Sequence, residues 1–205
     1  MIKKQLLIIL LILSSSIYSQ EEKLNLEKGQ KYFFEEGQKA LKEKNFYRAH
    51  GFFSLAQTGF CPDKEIIAKS RKKTDSLKVI VRAEQKQEII GNWKLLIPDS
   101  WAMRDPSDTI VGKMITIDPD QILFYELYDK AKNWNLAKTE KIIFSDKKSL
   151  TSDPLLIVYS NKQVWRYYID ETSGNLVAFY IGEEYEDGIS ELVCGKQKLQ
   201  YFKLQ

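Results

Sequence analysis

One histidine, His50, and two cysteines, Cys61 and Cys194, are the whole supply of the side chains that most often serve as proton shuttles, nucleophiles and zinc ligands. Histidine-based zinc sites, four-cysteine clusters and most histidine-dependent catalysis therefore lack raw material. His50 stands between Ala49 and Gly51 with no carboxylate partner in the adjoining helical turns, so it reads as a packing or surface histidine. Gly-x-Ser-x-Gly, His-Glu-x-x-His, the phosphate-cradling Gly-x-x-x-x-Gly-Lys-Ser/Thr and Gly-x-Gly-x-x-Gly are all absent, which argues against the common hydrolases, zinc proteases and nucleotide enzymes. No cofactor and no metal is implied. Carboxylates remain. Glu183-Glu184-Tyr185-Glu186-Asp187 concentrates them around one turn, but without the regular ligand spacing of a calcium loop. The run reads as a solvated hairpin tip that discourages edge association. Because glycosidase chemistry needs no histidine, a carboxylate-dependent enzyme acting on polysaccharide stands as the lowest alternative.

Aromatic residues offer a different chemistry, that of binding. In Val164-Trp165-Arg166-Tyr167-Tyr168-Ile169 the two-residue alternation of a strand puts Trp165, Tyr167 and Ile169 on one face. With Tyr125, Tyr159 and either Phe179 or its neighbour Tyr180 beside them, these residues would line an aromatic interior with phenolic hydroxyls to orient an apolar ligand. Alternatively the same rings simply fill a narrow barrel. Trp101 and Trp134 fall in polar loops, where they either form a lid or pack as satellites of the core.

The 31 basic and 28 acidic residues give a formal charge of +3, and loss of Lys3 and Lys4 with a leader would bring it closer to neutral. That balance supplies no electrostatic reason to expect nucleic acid. Residues 1–19 follow the layout of a signal peptide: Lys3 and Lys4, the apolar run Leu6 to Leu13, then small and polar residues to Ser19. The apolar run is about half the ~20 residues a membrane span needs. The expectation is a mature chain from about Gln20, periplasmic or secreted, without a membrane span. In that oxidising setting Cys61 and Cys194 are either bridged or separately buried.

From residue 20 to 90 apolar residues recur at three- and four-residue spacing, predicting helices near 27–43, 46–58 and 63–88. The first two carry Phe33, Gly37 and Ala40, then Phe46, Ala49, Phe53 and Ala56, followed by Cys61-Pro62. This pattern resembles a single tetratricopeptide repeat, in which small residues let two helices approach and aromatic residues fill the space around them. The resemblance implies a protein or peptide partner for the helices. The lysines of the third helix are diluted by Glu65, Asp75, Glu84 and Glu88, so a solvated face is expected.

After Gly91 the pattern becomes short runs of β-branched and aromatic residues separated by turn residues. Strands are expected near 92–97, 110–117, 121–127, 138–145, 155–160, 164–169, 176–181, 189–194 and 198–204. Short links such as Ser173-Gly174-Asn175 and Asp187-Gly188 join antiparallel neighbours. The fold class is therefore α+β: a helical region over 20–90, then an antiparallel up-and-down barrel or curled sheet over 91–205. Gly91-Asn92-Trp93 resembles the Gly-x-Trp opening of lipocalin-like domains. The resemblance implies that Gly91 permits a tight approach to the first strand, and that Trp93 closes one end of the barrel against a basic residue of a late strand, here Lys203. The function expected is an exported, non-catalytic binding protein whose barrel holds a small apolar ligand. The alternative is an envelope scaffold with a packed interior.

Overall fold

A computed structural model describes residues 28–58, 63–96, 109–195 and 197–204. The leader, Cys61, Pro62 and Trp101 lie outside them. The chain forms two compact units that divide between Ile80 and Val81, inside a helix.

The first unit holds helix α1 over 28–42, α2 (Phe46–Gln57) and the first part of α3 (Lys64–Ile89). Each boundary has a local cause. Lys44 adopts a left-handed conformation (φ 59) that ends α1, while Asn45 N–H turns back to the Ala40 carbonyl at 2.9 Å. Asn45 then caps α2, its side chain accepting from Arg48 N–H at 3.0 Å. Asp63 does the same for α3, accepting from Glu65 and Ile66 N–H at 2.8 and 3.2 Å. Ala40, Ala49, Phe53 and Leu77 form the core of this unit, with Phe34 and Phe46 against it. Ala56 is fully buried, and Phe33 stacks on Phe52 at 6.5 Å. His50 is buried in the same helix.

Gly37 is the point of closest approach, since a Cβ built there would lie 2.9 Å from the ring of Phe53, itself 0% exposed. Gly37→Ala sets a helix-propensity gain of about 1 kcal/mol against an overpacking cost of about 1–3 kcal/mol. Overpacking is expected to win, because Phe34 meets the same ring edge-on at 5.6 Å and leaves it little freedom. Thermal unfolding of the full chain should show a lower midpoint for the helical transition. A raised midpoint would mean that the helices slide apart freely.

The second unit begins with the last turns of α3 and continues as strands β1 (Gly91–Leu95), β2 (Ile110–Ile117), β3 (Gln121–Tyr128), β4 (Asn135–Lys141), β5 (Leu156–Val158), β6 (Gln163–Ile169), β7 (Leu176–Glu184), β8 (Ile189–Glu191) and β9 (Lys198–Lys203). Every pairing is antiparallel and the order is β4-β3-β2-β1-β9-β7-β6-β5, with β8 added to β7. The sheet curls through 264° into a half-barrel. Register shifts between Ile110 and Gly112, between Phe124 and Tyr125 and between Val164 and Trp165 supply bulges, and bulges increase local twist and bend the strand.

The fourth strand differs from the expected run over 138–145. Its pairing with β3 stops at Lys141 opposite Gln121, and the residues beyond change partner. Ser145 N–H donates to the Leu156 carbonyl at 2.8 Å, and Val158 N–H to that of Ile143 at 2.9 Å. One continuous segment thus serves two neighbours and draws the two edges of the half-barrel together. The extra length of the sheet's edge is hidden in a corner that alternation alone does not reveal.

Candidate functional site

The concave face carries one continuous core: Ile89, Trp93, Ile115, Ile117, Ile122, Tyr159, Trp165, Tyr167, Leu176, Ala178 and Tyr201 among others. The opposite face carries a separate cluster built on Leu156, Val164, Ile181 and Ile189. At one end of the half-barrel α3 is tied down by side chains. Arg82 donates to the carbonyls of Pro154 and Ser145 at 2.9 and 2.8 Å, and Gln85 donates to the carbonyl of Tyr167.

Trp93 is the pivot of that end. It is 1% exposed, and its indole N–H donates to the Ile89 carbonyl at 2.8 Å, satisfying one of the acceptors that a helix leaves open at its C-terminus. Lys203, its direct cross-strand partner, places its ammonium 5.2 Å from the Trp93 ring centroid. Gly91 has φ 144, and a Cβ there would meet Lys203 Cε at 3.2 Å. Glycine, tryptophan and lysine therefore form one packed group.

Toward the other end the core opens into a cavity of ≈ 450 Å³, within the usual range of small-molecule sites. Its walls come from Leu95 at the end of β1, Lys113 and Ile115 of β2, Phe124 of β3, Lys138 of β4, and Leu199 and Tyr201 of β9, with Tyr159, Trp165 and Tyr167. One wall is aromatic. Tyr159 stacks on Trp165 at 5.9 Å, Phe124 meets Tyr159 edge-on at 6.0 Å, and Trp165 lies against Tyr180 at 5.1 Å.

Three phenols sit in this region. Tyr159 and Tyr167 hydrogen-bond to each other through their hydroxyls. Burial raises both well above the ordinary phenol range, and it pushes Tyr201 up to about 12. All three stay protonated at physiological pH and act as neutral donors.

Glu140 joins the two edges of the half-barrel. It is 2% exposed and accepts from Ser160 N–H at 2.8 Å and from Ser160 Oγ at 2.9 Å, while Lys138 Nζ lies 2.7 Å away. Burial alone would raise this carboxyl. The Lys138 ammonium and the two Ser160 donors together outweigh burial and hold it below the usual range. Lys138 also stands 4.9 Å from the centroid of Tyr159.

Of the residues singled out by sequence, Tyr159, Trp165 and Tyr167 come together, and Tyr125 borders the cavity beside a bulge. At β7 it is Tyr180 that meets Trp165, because residue 180 pairs with 165. Phe179 points to the opposite cluster. Trp134 covers Gly112, whose Cβ position lies 3.0 Å from the indole, so it packs as a satellite. In the acidic hairpin, Glu184 accepts from Ser145 Oγ and Glu183 from the Tyr185 hydroxyl at 2.8 Å. Among the described residues no group of three His, Cys, Asp or Glu could hold a metal ion, and no helix is long and apolar enough to cross a membrane. Cys194 is exposed.

Sequence reasoning missed Phe124, Lys138, Glu140, Leu199 and Tyr201. Tyr201 had a signal: if Lys203 faces Trp93, the residue two before it faces the same interior. Glu140, in Lys138-Thr139-Glu140-Lys141, looks like any solvated edge. No protein-family model, no curated protein and no solved structure matches this chain.

Proposed function

We propose that the chain is an exported, non-catalytic binding protein in which a lipocalin-like half-barrel holds a small apolar ligand. The observation that carries this reading is the ≈ 450 Å³ cavity on the concave face, walled by Phe124, Tyr159, Trp165 and Leu199. The cavity is partly open to solvent and mostly apolar in its lining, as small-molecule sites commonly are. A tetratricopeptide-like role for the helices in contacting a protein is supported by exposed Tyr32 and Leu55, 56% and 48% accessible.

The uncharged fluorophore N-phenyl-1-naphthylamine tests the cavity. It should bind saturably, near one per chain, with increased emission. Trp165→Ala removes the ring between Tyr159 and Tyr180 and should weaken binding about tenfold, the worth of a lost aromatic contact and its buried area. A titration with no saturation, or one unchanged by Trp165→Ala, would count against the cavity as the binding site.

A further inference from the structure

The phenols and the charged residues around the cavity differ in what they leave unsatisfied. Tyr201 is 4% exposed and lines the cavity, yet its hydroxyl has no hydrogen-bond partner among the described residues. A phenol on the wall of a cavity with no bond to the protein is a donor available to whatever occupies that space. Beside it, the bond between the Tyr159 and Tyr167 hydroxyls uses one proton of the two, so a second phenolic O–H is also left to donate elsewhere.

The charges at the cavity are already spent on one another. Lys138 lies 2.7 Å from Glu140, and Lys113 lies 3.8 Å from Glu126. Glu140 is bound to Ser160, the residue after Tyr159, so its negative charge stands close to the phenols. An anionic ligand group placed at the phenols would meet that charge without an uncommitted cation among the lining residues to offset it. A cation would meet hydroxyls and ring edges in a mostly apolar space, with its hydration lost.

Resting on the ligand-binding reading above, we infer that the cavity selects an uncharged apolar or aromatic molecule bearing one neutral acceptor, such as a ketone, ester or amide carbonyl, which takes the hydroxyl protons of Tyr201 and the Tyr159–Tyr167 pair. The flat body of the molecule lies along the wall of Phe124, Tyr159 and Trp165. The chemistry is reversible binding, and no bond is made or broken.

Three probes of nearly equal size separate the terms when titrated against the full chain by calorimetry: 2-acetylnaphthalene with a neutral carbonyl, 2-ethylnaphthalene with none, and 2-naphthoate with a carboxylate. The carbonyl probe should bind about fivefold or more tighter than the hydrocarbon, the worth of a net hydrogen bond, and tighter still than the anion. Tyr201→Phe keeps the ring and the packing, so it should erase most of the preference for the ketone while leaving 2-ethylnaphthalene unchanged. The double variant Tyr159→Phe/Tyr167→Phe, which removes both hydroxyls of the pair and with them its free O–H, serves as a second variant with the same expectation. If the ketone and the hydrocarbon bind equally and neither variant changes their ratio, the carbonyl assignment falls while the cavity stands. Tighter binding of 2-naphthoate also overturns it, in favour of an anion site. Failure of all three to bind overturns the cavity reading itself, and the inference with it.

Discussion

Trp93→Ala is expected to destabilise the second unit by about 4 kcal/mol, within the range for deleting a large buried aromatic side chain. Three losses coincide there. The indole leaves a void beside Ile89 and Ile117, both of which are almost fully buried in the same core. The Ile89 carbonyl loses its donor at the end of α3, and Lys203 loses the ring under its ammonium. Urea unfolding followed in the β-sheet band of the circular dichroism should show the sheet's transition moving to much lower denaturant. Trp93→Phe retains a ring without the N–H and should cost about 1–2 kcal/mol, mostly as an unsatisfied buried carbonyl and lost volume. A loss below about 1 kcal/mol for the alanine variant would mean that Trp93 does not hold this end together.

The second large effect concerns Glu140. Replacing it with alanine strands Ser160 N–H and its hydroxyl and frees Lys138, an expected cost of about 2–3 kcal/mol. The pH dependence has a definite sign. The folded carboxyl titrates below the ordinary value of 4.5, so the native state favours its ionised form. Its contribution is fully present above about pH 4.5 and is lost as pH falls through the lower, folded value. Stability measured by urea titration between pH 6 and pH 2.5 should therefore fall less steeply in Glu140→Gln than in the unaltered chain. Identical acid limbs for the two proteins would contradict the assigned role of this carboxylate in joining β4 to the loop after β5.

The parts of the fold that follow local rules were readable beforehand. The second and third helices lie where the three- and four-residue spacing predicts, and Gly37 of the first lies under the Phe53 ring of the second. Short turns between alternating runs account for the consecutive pairing of β2 to β4 and of β5 to β8, while β9 departs from that order by pairing with β7 and β1, and Trp93 finds Lys203 because both belong to neighbouring strands with matching faces. What escaped depends on register. The register of β6 against β7 sets Tyr180 opposite Trp165 and Phe179 opposite Arg166, so Tyr180, and not Phe179, meets Trp165. Residues 143–145 leave the side of β3 for that of β5, a change of partner with no local signature. Glu140 escaped for a related reason: its hydrogen-bond partner Ser160 lies twenty positions away, in the turn after β5.

Nuclear magnetic resonance of the isotope-labelled full chain, titrated with 2-acetylnaphthalene, tests the central claim most directly. The account predicts saturable shifts confined to the concave face, at Ile115, Leu199 and Tyr201, with the cluster of Leu156, Val164 and Ile189 on the opposite face unmoved. Saturable shifts centred on that opposite cluster, or none at all, would contradict it.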